Sequence, residues 1–91
     1  MQLQIVSPEA QLFSGEVESI TLPGTSGSFQ ILNNHAPIVS TLVEGRVKIQ
    51  GNITLDKANK DKFIQEGEYT YLDIHSGAVE LSENKVILLT D

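Results

Sequence analysis

The chain has 91 residues, 40% of them hydrophobic, with 12 acidic side chains against 6 basic ones and a formal net charge of −6. That length implies one domain, residues 1–91, with a thin stability margin, and the absence of cysteine excludes a disulfide framework or a thiolate metal site. The acidic balance argues against nucleic acid, whose phosphates demand a basic surface, and no apolar run approaches the ~20 residues of a membrane-spanning helix.

The start, MQLQIVSPEAQ, has neither the basic opening nor the long apolar core of a signal peptide, which implies an intracellular chain. From there the apolar runs are short and lie between turn residues. LQIV (3–6) ends at Ser7-Pro8, and VESITL (17–22) lies between Gly15 and Pro23-Gly24. FQIL (29–32) ends at Asn33-Asn34, IVSTLV (38–43) lies between Pro37 and Gly45, and RVKIQ (46–50) ends at Gly51-Asn52. ITL (53–55) runs into the charged DKANKDK (56–62), followed by KFIQ (62–65), EYTYLDI (68–74), AVELS (78–82) and KVILLT (85–90).

Leu3/Ile5, Ile20/Leu22, Val47/Ile49, Ile53/Leu55 and Val79/Leu81 alternate with the period of a half-buried strand. This density of strands and turn signals predicts an all-β fold, a flattened antiparallel β-sandwich or barrel of about eight to ten short strands. The stretch 52–66 is free of Gly and Pro and has room for one helical turn between Asp56 and Lys62, but the alternation before it favours a hairpin with DKANKDK at its tip. Five of the six cations fall between Arg46 and Lys62, yet Asp and Lys interleave there, the mark of a solvated loop.

No motif carries catalysis. His35 and His75 are the two histidines, without the HxH or HxxxH spacing that would pair them on a metal, and neither Ser28 nor Ser40 sits in a nucleophile-elbow frame. His35, leading through Ala36 to Pro37, reads as a structural or interface residue, and His75 before Ser76-Gly77 as a turn residue. Gly24 and Gly27 in PGTSGS lack the Lys-Ser/Thr pair of a phosphate-binding loop and read as a wide turn. Glu16/Glu18 and Glu66/Glu68 lie two apart, on one face of a strand, where solvation is the simplest account. The Asn52 NIT triplet, with no signal peptide before it, reads as chance.

The segment VESITLPGTSGSFQILNNHAPIVSTLVEGRVKI resembles the β-sandwich domain of the epsilon subunit of F-type ATP synthase, the delta subunit of mitochondria. Gly24, Gly27, Ile31, His35, Ala36, Pro37 and Gly45 fall at matching places in that family's pattern. The flanks are similar too, with a Phe13-Ser14-Gly15 turn implied near the start and Gly77, Glu80 and Val86 matching in the closing hairpin, so the resemblance runs from residue 3 to residue 91. Three departures stand out. The family's acidic residue is replaced by Ser28, its Pro-Gly before the histidine by Asn33-Asn34, and the segment from Gly51 to Gly67 is longer than the usual hairpin. Asn tolerates a left-handed backbone, so that turn can survive the exchange.

The resemblance implies a non-catalytic rotor subunit with no cofactor, peripheral on the cytoplasmic side of the bacterial inner membrane. Its partners would be the gamma subunit and the ring of c subunits. Thr25, Ser26, Gly27, Ser28 and Phe29 would form the c-ring loop, with Phe29 as an apolar anchor, while His35, Ala36, Pro37 and Ser40 would lie at or beside gamma. Many members carry a C-terminal pair of helices that restrains hydrolysis, and a chain ending at Asp91 would lack that brake. Two competing readings remain: a stand-alone β-sandwich binding module for carbohydrate or protein, and a small hydrolase built on His35. The rotor reading requires a face more apolar than the rest of the surface.

Overall fold

The computed structural model describes residues 1–91. Ten strands follow in chain order: β1 (Gln2–Val6), β2 (Gln11–Glu16), β3 (Ser19–Gly24), β4 (Gly27–Leu32), β5 (Ile38–Leu42), β6 (Gly45–Gln50), β7 (Phe63–Glu66), β8 (Tyr69–Ile74), β9 (Gly77–Ser82) and β10 (Lys85–Thr90). They form one curled sheet in the order β2-β1-β10-β9-β5-β3-β6-β8-β7, with β4 on the other edge of β3. The link between β5 and β3 is a single residue pair, Gly24 with Leu42, so the sheet turns a corner there into two five-stranded layers. The all-β sandwich expected from the sequence is the fold observed. All strand pairs are antiparallel except β1 with β10, which is parallel.

The period-two pattern explains the core. Leu3 and Ile5 of β1, Ile20 and Leu22 of β3, Val47 and Ile49 of β6, Val79 and Leu81 of β9, and Val86 and Leu88 of β10 are all essentially inaccessible. They join a cluster of 19 buried residues between the layers. Truncating one such Leu or Ile to Ala costs about 2–5 kcal/mol, a large share of the ~5–14 kcal/mol available to a domain of this size.

Pro23 occupies the corner. Its carbonyl accepts from the Val43 N–H at 2.9 Å, and it lies where the neighbour of β3 changes from β6, paired through Thr21, to β5, paired at Gly24. A missing N–H is tolerated there because no ladder partner requires it.

Three local expectations are corrected. Phe13-Ser14-Gly15 is not a turn but the middle of β2; the chain reverses earlier, at Ser7–Ala10, where the Ser7 N–H and hydroxyl both bind the Ala10 carbonyl. The hairpin with DKANKDK at its tip does not form. Ile53 and Leu55 pack against the core without joining a strand, and the only helical turn is a short 3-10 segment at Lys60–Lys62. Apolar burial there is achieved by draping a loop, which Asn59, buried, ties down by donating to the Gln11 carbonyl at 3.3 Å. The wide turn at Gly24–Gly27 is a tight hairpin with Thr25 and Ser26 as its two loop residues. Gly27 takes φ +118, whereas Gly24 is needed for space, since a Cβ on it would lie 2.9 Å from the Phe29 ring.

Candidate functional site

Alternation along the outer face of the first layer leaves apolar side chains where polar ones would be expected. Registers align Val39 with Glu80 and Thr41 with Ala78 across β5 and β9, then Glu80 with Ile87 and Ala78 with Leu89 across to β10. The rows continue from Ile87 to Gln4 and from Leu89 to Val6 on β1. Because Val79, Leu81, Val86, Leu88, Leu3 and Ile5 fill the opposite face, all of these point outward. Val39 is 79% exposed and Leu89 51%, while Val6, Ala78 and Ile87 on the same face are half-buried. Glu80 is the one carboxylate in the two rows.

A shallow groove lined by Pro37, Ile38, Val39, Glu80, Leu81 and Ser82 joins this face to the β4–β5 loop. The loop turns at Leu32–His35, whose ends are joined by the His35 N–H donating to the Leu32 carbonyl at 3.1 Å. Asn34 takes φ 65, the left-handed position the sequence allowed for. His35, Ala36 and Pro37 are exposed in sequence, and the His35 Nδ1–H donates to the Ala36 carbonyl at 2.7 Å. Ser40 is half-buried and shares the phase of Ile38 and Leu42 rather than that of Val39.

The Thr25–Ser26 hairpin lies at the other end of β4, about 17 Å from Leu32 at ~3.3 Å per residue. Thr25, Ser26, Gly27 and Ser28 are exposed. Phe29 is half-buried: it shares the phase of Ile31, lies over Gly24 and packs against the core. The two groups of residues picked from the sequence are therefore separate surfaces. The outward patch of Val6, Val39, Ala78, Ile87 and Leu89 went unnoticed in the sequence. Its signal is apolar residues in the polar phase of amphipathic strands, as in Ile38-Val39 and Leu88-Leu89.

Elsewhere, Tyr69 and Tyr71 on β8 have cations over their rings, Lys48 Nζ at 4.3 Å and the Arg46 guanidinium at 5.5 Å. Arg46 also grips Asp73 with two bonds, at 2.7 and 3.1 Å, which raises the guanidinium pKa and lowers that of the carboxylate. Those ring faces are occupied from within the chain, which disfavours sugar stacking. No three His, Asp or Glu side chains gather into a metal-holding group. His75 does more than turn the chain. Its Nδ1–H and backbone N–H donate to the Asp91 carboxylate at 2.9 and 3.0 Å, and Ser76 N–H and the Thr90 hydroxyl add bonds at 3.3 and 3.1 Å. These donors, the His75 backbone N–H first, hold the Asp91 pKa well below the usual carboxylate range.

The family model for the β-sandwich domain of the ATP synthase delta/epsilon chain matches residues 1–91. The chain belongs to that family. The epsilon chain of Chlorobium limicola is 40% identical over 90 residues, covering 99% of this chain and 88% of that one. That of Leptospira interrogans is 37% identical over all 91 residues but 61% covered, so the chain spans less than two thirds of that relative's length. A cryo-EM structure of the central stalk and c ring of the Tetrahymena thermophila mitochondrial ATP synthase contains a chain of the same fold, with TM-score 0.76 at 15% identity, 98% of this chain and 61% of that chain being covered. The delta/epsilon family is a non-catalytic component of ATP synthase.

Proposed function

We propose that this delta/epsilon-family chain is a central-stalk rotor subunit of F-type ATP synthase, peripheral on the cytoplasmic side of the bacterial inner membrane. Its outer β5-β9-β10-β1 face docks on the gamma subunit, and its Thr25–Ser26 hairpin seats on the c ring. The observation that carries the reading is the apolar patch: Val39, 79% exposed, and Leu89, 51% exposed, share one sheet face with the half-buried Ala78, Ile87 and Val6, across two adjacent rows. Exposed aliphatic side chains on a regular face mark a surface that a partner covers. Glu80 within it calls for a cation on gamma, which would set register more than affinity.

His35, Ala36 and Pro37 border that face and extend it; Ser40 lies beside it, in the opposite phase of β5. Thr25, Ser26, Gly27 and Ser28 present a small, polar tip to the ring, and Phe29 supports the tip from beneath. With no acidic side chain at Ser28, the tip relies on close backbone approach rather than on a charge pair. Torque would pass through this rigid body while the phosphoryl chemistry occurs in other chains, with no cofactor held here.

Co-expression with the gamma subunit of the same genome, followed by size-exclusion chromatography, tests the reading. A stable one-to-one complex is expected. Separate elution of a folded 91-residue chain would overturn it.

A further inference from the structure

We infer that Asn84, in the β9–β10 turn, is the positioning residue for the Asn33–Asn34–His35 turn, so that one side-chain amide sets the geometry of the loop beside the docking face. The inference rests, for its docking half, on the gamma reading above. The Asn84 Oδ1 accepts from the Asn34 backbone N–H at 2.8 Å, and its Nδ2 donates to the Asn33 Oδ1 at 2.8 Å. Both ends of a single amide are thus spent on two consecutive residues 50 and 51 positions away in the chain.

Asn84 is itself held firmly. Glu83 and Asn84 take φ 49 and 59, the pair of positive values of a tight hairpin turn, and the Asn84 carbonyl accepts from Gln2 N–H on β1 at 3.1 Å. The clamp therefore connects the loop to the part of the sheet formed by β1, β9 and β10, which carries most of the apolar patch.

The need for such a clamp follows from the turn's own composition. A Pro-Gly pair, the pattern the sequence resemblance leads one to expect here, stiffens a turn from within: proline sets φ at the first central position and glycine accepts positive φ at the second. Asn33-Asn34 keeps the second property, with Asn34 at φ 65, and loses the first. The stiffness absent from the turn is supplied from outside by Asn84. A loop that visits its docking geometry only part of the time binds with an affinity reduced by that fraction, so loosening the clamp should register in gamma affinity.

Asn84→Gly tests this, because glycine keeps the positive φ and the Gln2 bond while removing both side-chain bonds. Amide hydrogen exchange on the isolated chain should show the Asn34 N–H exchanging about tenfold faster, the effect of roughly one lost hydrogen bond, with the melting temperature nearly unchanged. Gamma affinity should fall about threefold to tenfold, the range expected if the competent loop population drops to a third or a tenth. Asn84→Asp should restore slow exchange and affinity, since its carboxylate accepts from Asn34 N–H and, after a flip, from the Asn33 amide. Unchanged Asn34 exchange in Asn84→Gly would overturn the clamp outright. Faster exchange with unchanged gamma affinity would overturn its role in docking. No gamma binding by the unsubstituted chain would overturn the gamma reading and with it the docking half, while the exchange data would still decide the clamp.

Discussion

Val39→Lys separates docking from folding by driving them in opposite directions. Val39 is 79% exposed on β5, directly across from Glu80 on β9. In the free domain a lysine there meets a carboxylate in the facing cross-strand position, worth about 0.2–1 kcal/mol of stabilisation. The melting temperature should hold or rise slightly. In the complex the same change removes a valine that docking would cover. Full burial of such a side chain is worth about 1.5–3 kcal/mol, and the exposed fraction, 79%, scales this to roughly 1–2 kcal/mol. At 1.4 kcal/mol per tenfold, the Kd for gamma should rise about 5- to 30-fold before any cost of desolvating the ammonium is added. Isothermal titration with gamma, beside a thermal melt of each protein, reads both quantities. A Kd within twofold of the original, with the melt unchanged, would refute the assignment of this face.

Gly77→Ala should destabilise strongly, because the new Cβ would lie 2.5 Å from the Leu89 carbonyl oxygen, a ladder atom that cannot swing away; overpacking of about 1–3 kcal/mol predicts a fall of roughly 4–20 °C in a melt. Phe29→Ala should also lower the melting temperature, by several degrees, since the ring covers Gly24 and packs on the core; an unchanged melt would show that Phe29 is a free anchor instead. Asp91 has its pKa depressed in the folded state below its ordinary 3.8, so its contribution is present above about pH 4 and is lost as pH falls through the folded value. Asp91→Asn should therefore flatten the low-pH arm of a melting-temperature profile below about pH 4, and a profile parallel to that of the unsubstituted chain would refute the His75–Asp91 clip.

The strands, their inward residues and several turns were legible in the sequence because each depends on near neighbours. Alternation at Leu3/Ile5, Ile20/Leu22 and Val47/Ile49 marked the core face, and Asn34 and Asn84 occupy left-handed positions that their residue type permits. Gly24, Gly27, His35, Ala36, Pro37 and Gly45 pointed to the delta/epsilon family, whose model matches residues 1–91. Ile53 and Leu55 show the limit of the pattern: their alternation is real, but a loop buries them as well as a strand would, and nothing local distinguishes the two. The turn that the resemblance implied at Phe13-Ser14-Gly15 is strand instead, because the pairing of β2 with β1 overrides the turn preference of Ser and Gly.

What no window of sequence contained was which residues meet across the sheet. The apolar patch draws Val39, Ala78, Ile87, Leu89 and Val6 from four strands, and the Asn84 clamp joins positions 50 residues apart. Residue type and spacing determined the strands other than β2, and the inward face of most of them. The surface that a partner would meet was decided by strand order and register, which depend on how the strands close around a common core.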